Sequence, residues 1–397
     1  MGSGPLSHIR VLDLSRVMAG PWATQIFADL GADVIKVERP GEGDDTRGWG
    51  PPFVERPDGG EGDSGYFLSV NRGKRSIAID LADPAGQEEV RKLAARSDIV
   101  FENFRAGTLA RYGLDAASLH VVNPRLIYVS ITGFGADGPR RGQVAYDFMI
   151  QAMGGLMSVT GVPDGAPGAG PQKVGIPIID IMTGMYAGTA ALAALEHRSQ
   201  TGQGEVIDIA MLDVATAMLA NQAMNHLIAG TTPTRTGNAH PNIQPQDVYP
   251  CASGHIVLAV GNDVQFERLA TVLGQPALAA DPRFRENRAR VANVATLNAI
   301  LIAAFAEKPM AEWVVLLGEA GVPCGPINTI ADVMAEPQVR HREMVRGVPY
   351  GADGDVPTVV SPMRFAGAPL KFDRGPPLLD EHGEQIRATL LSGHDDG

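Results

Sequence analysis

The 397 residues contain no GxSxG elbow, no HExxH, no Walker loop and no clustered metal ligands, so a group able to do covalent chemistry has to be sought among the carboxylates. Asp180 stands out. It closes an apolar, strand-like run at 174–179 and precedes a helix expected at about 183–197, a position where the helix dipole favours a carboxylate. An ionised carboxylate in apolar surroundings is poorly solvated and therefore a better nucleophile than one in water. A plain helix cap asks for the same residue at the same place, and the local sequence leaves both readings open.

Cations and aromatic rings near strand ends are the candidates for holding a ligand. Asn103, Phe104 and Arg105 directly follow a strand expected at 99–102, on the carboxyl edge where parallel sheets bind their ligands. A ring beside an amide and a guanidinium could stack a purine and hold phosphate, although a solvated loop has the same composition. The cluster Asn71-Arg72-Gly73-Lys74-Arg75 sets three cations round a glycine, which suits either an anion or a solvated face. Arg39 and Arg111 are single cations with the same two readings. His240 and His255 have no partner at a telling spacing, and both read as structural.

These residues need a scaffold, and the pattern supplies one. Strands are expected at 9–14, 34–38, 76–81, 99–102 and 126–132, with helices at 22–30 and 84–96 between them. Strands alternating with helices give an α/β fold whose parallel sheet is covered on both faces. The turn at 16–21 lacks GxGxxG, which disfavours NAD chemistry. Residues 44–65 form a Gly-, Pro- and acid-rich insertion without period, read as a lid or an unstructured loop. Gly184, Gly188 and Ala191 share one face of the 183–197 helix, a spacing that lets another backbone come close. A strand at 206–209 and a helix at 213–229 follow. A hairpin at 246–251 and 255–260 then opens a second region with helices at 262–272, 295–306 and 311–320. The division expected is a large domain over 1–205, a linker over 206–237, a small α+β domain over 238–325 and a return segment over 326–397.

Composition narrows the class. With 44% hydrophobic and 20% charged residues the chain is long enough for two cores. Apolar stretches at 176–181 and 189–195 are too short to span a bilayer, and the start has no signal-peptide run, so a cytoplasmic protein without a membrane partner is expected. Cys251 and Cys324 lie far apart and read as buried thiols, with no disulfide or metal site. The net charge of −12 argues against nucleic acid. Residues 1–150 carry 17 Lys and Arg against 20 Asp and Glu, leaving −9 for the remainder, so an anion finds its better host in the first part.

Read together, several segments form a recognisable series. Ala19-Gly20-Pro21-Trp22, residues 30–38 (LGADVIKVE), 71–76 (NRGKRS), 102–105 (ENFR), 131–135 (ITGFG), Asp180 with Thr183-Gly184, 281–284 (DPRF) and 321–326 (GVPCGP) resemble the class III CoA-transferases, also called the CaiB/BaiF or formyl-CoA transferase family. The resemblance runs from about Ile9 to Ile386. It implies a Rossmann-like large domain built from both chain ends, a smaller central α+β domain and a homodimer of interlinked rings. It also implies an acyl-CoA:carboxylate CoA-transferase in which Asp180 carries an anhydride and then a CoA thioester. CoA and acyl-CoA are substrates in this reading, a carboxylic acid is the acceptor, and no cofactor is tightly bound. The implied CoA-binding residues are Arg16, Met18, Ala19, Arg39, Lys74, Asn103, Phe104, Arg105 and Arg111, with Tyr146, Gly261 and Asn262 on the substrate and lid side.

Two departures bear on the substrate. Formyl-CoA transferases carry a run of glycines where this chain has Ala259-Val260-Gly261-Asn262-Asp263, and a polar residue where it has Met18, which points away from formate and oxalate and towards larger acids such as dicarboxylates. The related α-methylacyl-CoA racemases place a histidine before the aspartate of the segment that is Ala145-Tyr146-Asp147 here, so the second base that racemisation requires is missing. A non-catalytic CoA-binding protein is the remaining alternative, and the intact Asp180 speaks against it.

Overall fold

The computed structural model describes residues 4–56, 59–351 and 354–391. Contacts divide the chain into two units, Met1–Leu156 with Lys173–Ala229 and Gln338–Gly397, and Met157–Gln172 with Gly230–Pro337. The segment 157–172, inside the stretch read as the large domain, thus packs with the second unit.

The first unit is built on strands β1 (Arg10–Asp13), β2 (Asp33–Glu38), β3 (Arg75–Ala78), β4 (Ile99–Glu102), β5 (Ile127–Thr132) and β6 (Glu205–Ala210). They form one sheet in the order β6-β5-β4-β1-β2-β3, parallel throughout. This is the doubly wound order of the Rossmann fold. Apolar runs make these strands because side chains alternate between two covered faces. Leu12, Ile35 and Val100 enter one core with Val90 and Leu93 of helix Pro84–Ala95, while Val11, Val34 and Phe101 enter the opposite core.

Two helices close that second face, α1 (Ala19–Asp29) and α2 (Ile178–Thr201). Helix α2 ends at Gly202, which has φ 75°, the left-handed position where glycine costs nothing. Its start differs from expectation: the 174–179 run is not a strand, and Asp180 is the third residue of the helix rather than the residue before it. With 24 residues and a mean hydropathy of 1.5, α2 is long and apolar enough to cross a membrane by length and composition, although its segments read as too short. Its fully buried Ala187 and Ala191 pack in the core on α1 and the sheet. A Cβ on Gly184 would lie 2.6 Å from the Ala19 carbonyl oxygen, so glycine there permits the close approach. The helix expected at 213–229 is two, Met211–Met218 and Ala220–Ala229.

The described residues of the insertion read as a lid or unstructured loop, 44–56 and 59–65, are built into this unit. The insertion holds a helical turn (Asp45–Gly48), a hairpin of Phe53–Glu55 with Glu61–Ser64, and a short helix (Gly65–Leu68). Side-chain ion pairs fix it. Arg47 donates to Glu38 at 2.7 and 2.8 Å and to Asp63 at 2.7 Å, and lies over the Phe67 ring at 3.8 Å.

The second unit contains a three-stranded antiparallel sheet of Gln246–Pro250, His255–Ala259 and Cys324–Pro326, with helices Asp263–Val272, Val294–Phe305 and Met310–Glu319. Tyr249, Phe266, Phe284, Phe305 and Trp313 fill its core. Cys251 and Cys324 are free and half-buried at the core's edge, less enclosed than expected.

Candidate active site

In the sheet order, β1 and β4 are neighbours whose chains continue to opposite sides, which opens a crevice at their carboxyl ends. The turn from Ser15 to Met18 leaves β1, and Asn103 to Arg105 leave β4. A cavity of about 470 Å³ lies there, lined by Arg16 to Ala19, Asp45, Trp49, Asn103 to Arg105, Ile131 to Gly135, Tyr146, Met211 and Asp180. A second cavity of about 240 Å³ is lined by Arg39, Lys36, Ile79, Thr108 and Tyr112, and shares Arg16 and Phe104 with the first.

Asp180 is not the cap of α2. Asp147, which opens helix Asp147–Met153, accepts the N–H of Ile179 at 2.7 Å and of Asp180 at 3.3 Å on one carboxylate oxygen. Its other oxygen accepts the buried Gln151 amide at 2.6 Å, and Gln151 accepts the Val174 N–H at 2.9 Å. Asp147 and Gln151 therefore satisfy the helix start. Among the described residues no hydrogen bond reaches the Asp180 carboxylate. Burial, and then repulsion from Asp147, pushes its pKa up to about 7. Tyr66 lies close enough to share this field: burial first, then the charges of Asp180, Asp147 and Asp44, raise its phenol to about 12. Its ring meets Trp49 edge-on at 5.3 Å. A half-buried carboxylate with no hydrogen-bond partner among the described residues, on the wall of a cavity, is equipped to attack an electrophilic carbonyl.

A model of CoA-transferase family III matches residues 6–383. The chain belongs to this family. It is 49% identical over 387 residues to a succinate–glutarate CoA-transferase of Agrobacterium fabrum, covering 97% of this chain and 96% of that one. Over 390 residues it is 39% identical to an acetyl-CoA:oxalate CoA-transferase of Acetobacter aceti, covering 98% and 96%. The crystal structure of a CaiB/BaiF family protein from Brucella suis superposes with a TM-score of 0.85 at 49% identity, over 98% of this chain and 100% of that one. The protein is a CoA-transferase.

The transferase's candidate residues separate into three groups. Arg16, Met18, Ala19, Asn103, Phe104, Arg105, Tyr146 and Asp180 meet at the larger cavity, and Arg39 lines the smaller one. Arg39 pairs with Glu42, Arg16 with Asp45 at 3.0 Å, and Arg105 donates to the Gly142 carbonyl at 3.0 Å, all three exposed. Asn103 spends its amide on the backbone of Arg16, accepting its N–H at 3.0 Å and donating to its carbonyl at 2.7 Å. Glu102, pushed up to about 7 by burial, accepts the Phe104 N–H at 2.8 Å and so sets that turn.

Lys74 forms the second group and is a correction. Its ammonium is wholly buried in neither cavity, and its three donors go to Asp13 at 3.0 Å, the Pro21 carbonyl at 3.0 Å and Asn71 at 2.9 Å. Its cluster partners are internal too: Arg72 forks onto Asp29 and Arg75 onto Asp33. Neither an anion site nor a solvated face describes 71–75, because each cation has a buried or half-buried aspartate that sequence spacing does not reveal. Arg111, exposed on the turn Leu109–Tyr112, lines neither cavity, though its neighbours Thr108 and Tyr112 do.

Gly261 and Asn262, the third group, belong to the second unit. Asn262 caps helix Asp263–Val272 by accepting the Gln265 N–H at 2.9 Å, and Gln265 accepts the Gly261 N–H at 2.7 Å. Sequence reasoning missed Trp49, which sits in the insertion, Tyr66, which directly follows it, and the part Asp147 plays at the start of α2. The DDTRGW run at 44–49 was the available signal, since an aromatic following paired charges is unusual for a solvated loop.

Proposed function

We propose that this CoA-transferase exchanges CoA between succinate- and glutarate-sized dicarboxylic acids through two covalent states on Asp180. The observation that carries the reading is the Asp180 carboxylate itself, unpartnered on the cavity wall while Asp147 does the capping. An oxygen of Asp180 attacks the thioester carbonyl carbon of the donor, and the C–S bond breaks to leave CoA thiolate and a mixed anhydride. The thiolate then attacks the Asp180 acyl carbon and expels the donor acid, leaving an aspartyl-CoA thioester. The acceptor carboxylate attacks that thioester, and its C–S bond breaks to release CoA thiolate and leave a new mixed anhydride. Attack by the thiolate on the acceptor's acyl carbon releases the new acyl-CoA and restores Asp180. No proton is consumed, and the negative charge passes between carboxylate and thiolate.

The charge that develops on the carbonyl oxygen needs donors, and the N–H groups of Met18, Ala19 and Gly20 begin α1 with no partner among the described residues. The two cavities joined at Arg16 and Phe104 suit an elongated CoA, with Phe104 beside the base and Arg16, Arg39 and Arg105 available to phosphate. The dicarboxylate choice is supported by the Agrobacterium relative, whose name is succinate–glutarate CoA-transferase. Racemisation lacks its second base, with Tyr146 at that place. The working form we read is an interlinked homodimer, in keeping with Phe148, Leu227 and Ile228, which stand 58%, 72% and 79% exposed on the single chain. Two free cysteines suit the reducing cytoplasm.

Incubating the protein with succinyl-CoA and, separately, glutarate, oxalate, formate or acetate tests the substrate class. Glutaryl-CoA should form fastest. Preferential transfer to formate, acetate or oxalate would refute the reading of succinate- and glutarate-sized dicarboxylates, and hydrolysis without transfer would refute the exchange.

A further inference from the structure

Val17 has φ 69°, a left-handed conformation that a β-branched side chain adopts only when its surroundings impose it. The imposing groups are all in place. The Val17 N–H donates to both oxygens of Asp44, at 3.3 and 3.2 Å. Asp44 in turn accepts from Lys36 Nζ at 2.8 Å, from the Thr46 N–H at 3.0 Å and from the Thr46 hydroxyl at 2.7 Å. Both side chains of the Lys36–Asp44 pair are 1% exposed. Lys36 also donates to the Ser15 carbonyl at 3.0 Å. Three consecutive residues are therefore gripped by three different side chains: Ser15 by Lys36, Arg16 by Asn103 and Val17 by Asp44.

What this grip aims is the next pair of residues. Met18 and Ala19 follow directly, open α1, and line the cavity that contains Asp180. A left-handed residue immediately before them sets the direction in which their backbone groups face, because a change of φ at Val17 swings everything after it. Burying an ion pair is close to neutral for stability when the alternative is apolar packing, so stability alone does not explain the pair. Burial pulls the Asp44 carboxyl pKa up, but the Lys36 charge and the hydrogen bonds from Lys36 and Thr46 outweigh it and hold the group at about 2. The grip is thus charged at any working pH.

We infer that Asp44 is a positioning residue for CoA transfer: backed by Lys36, it holds Val17 left-handed and so fixes the Met18 and Ala19 backbone against the reacting carbonyl. The Asp44 carboxylate borders the smaller cavity, but it is spent on Lys36, Thr46 and the Val17 N–H. It acts through the turn, and the inference rests on Asp180 being the group that is acylated.

Glycine adopts the left-handed conformation without help, so replacing Val17 should make Asp44 dispensable. The measurement is the single-turnover rate at which Asp180 is acylated by labelled succinyl-CoA, with CoA affinity measured alongside. Asp44→Asn should slow acylation by at least about tenfold while changing CoA affinity less than about twofold, and in a Val17→Gly background the same change should cost less than about threefold. Equal costs in both backgrounds, or a native rate in folded Asp44→Asn, would overturn the inference. Should Asp44→Asn fail to fold, Val17→Pro breaks the same contact from the turn and leaves the Lys36–Asp44 pair whole, since proline has no N–H and no positive φ. A native acylation rate in Val17→Pro would likewise overturn it. Label found on a residue other than Asp180 in the wild-type protein would defeat the nucleophile assignment as well, so the two failures are told apart.

Discussion

Asp180 and Asp147 are two carboxylates with divided roles, and the division has consequences for pH. As the proposed nucleophile Asp180 must be ionised, so kcat/KM should fall as pH drops through about 7, the value to which burial and then Asp147 raise it. Asp147→Asn removes the repelling charge, and the acid limb of the profile should move to lower pH. The same shift is a stability cost. A carboxyl whose folded pKa lies above its unfolded value destabilises the fold above the folded pKa, and the cost fades as pH falls towards 3.8. Asp180→Asn should therefore raise the melting temperature at pH 8 more than at pH 5, by a free energy of about 1–2 kcal/mol once solvent screening is allowed for, and lower exchange by at least about a thousandfold. No gain in stability at pH 8 would show that Asp180 is better solvated than its surroundings indicate. At this scale the sequence was legible in residue type but not in role. The cap of α2 comes from a carboxylate 33 positions upstream, which no local motif displays, and Lys74 looked available because its partner Asp13 is 61 positions away.

Elements were read best where hydrophobic runs decide them. The strand at 99–102 is as expected, since all four residues are buried and only a doubly covered strand tolerates that. The start of α2 was misjudged because Val174, Ile176 and Ile178 alternate as a strand would, while the helix takes its first-turn partners from Asp147. The 44–65 insertion has no period to read; its order comes from Arg47, Asp63, Glu38 and Asp44, which are tertiary contacts. The small-residue face of α2 was legible, and it carries a prediction. Gly184→Ala places a methyl 2.6 Å from the Ala19 carbonyl oxygen and 3.0 Å from the Trp22 ring, so helix α1 must shift. Thermal or urea unfolding should show a loss of about 1–3 kcal/mol. Because Met18 and Ala19, at the start of α1, line the cavity that contains Asp180, activity should fall further than CoA binding does. An unchanged melting temperature would mean that the α1–α2 crossing is looser than the structure has it.

For the whole molecule, alternation of strands and helices was enough to expect a parallel sheet, but the order β6-β5-β4-β1-β2-β3 and the crevice between β1 and β4 depend on pairings that only the fold displays. The discontinuous second unit, with 157–172 joined to 230–337, was equally hidden, because chain order is not spatial order. The proposed interlinked dimer could not part without unfolding, so sedimentation at nanomolar concentration should find a dimer of the 41.9 kDa chain and no folded monomer. A folded monomer would contradict that assembly. The proposed CoA transfer depends on one covalent bond, that between Asp180 and the acyl group. Protein incubated with succinyl-CoA, treated with hydroxylamine and digested should yield a peptide in which Asp180 is a hydroxamate, identified by its fragment masses, with no such product from Asp180→Asn. A hydroxamate on Asp147 or any other residue, or native exchange by Asp180→Asn, would contradict it.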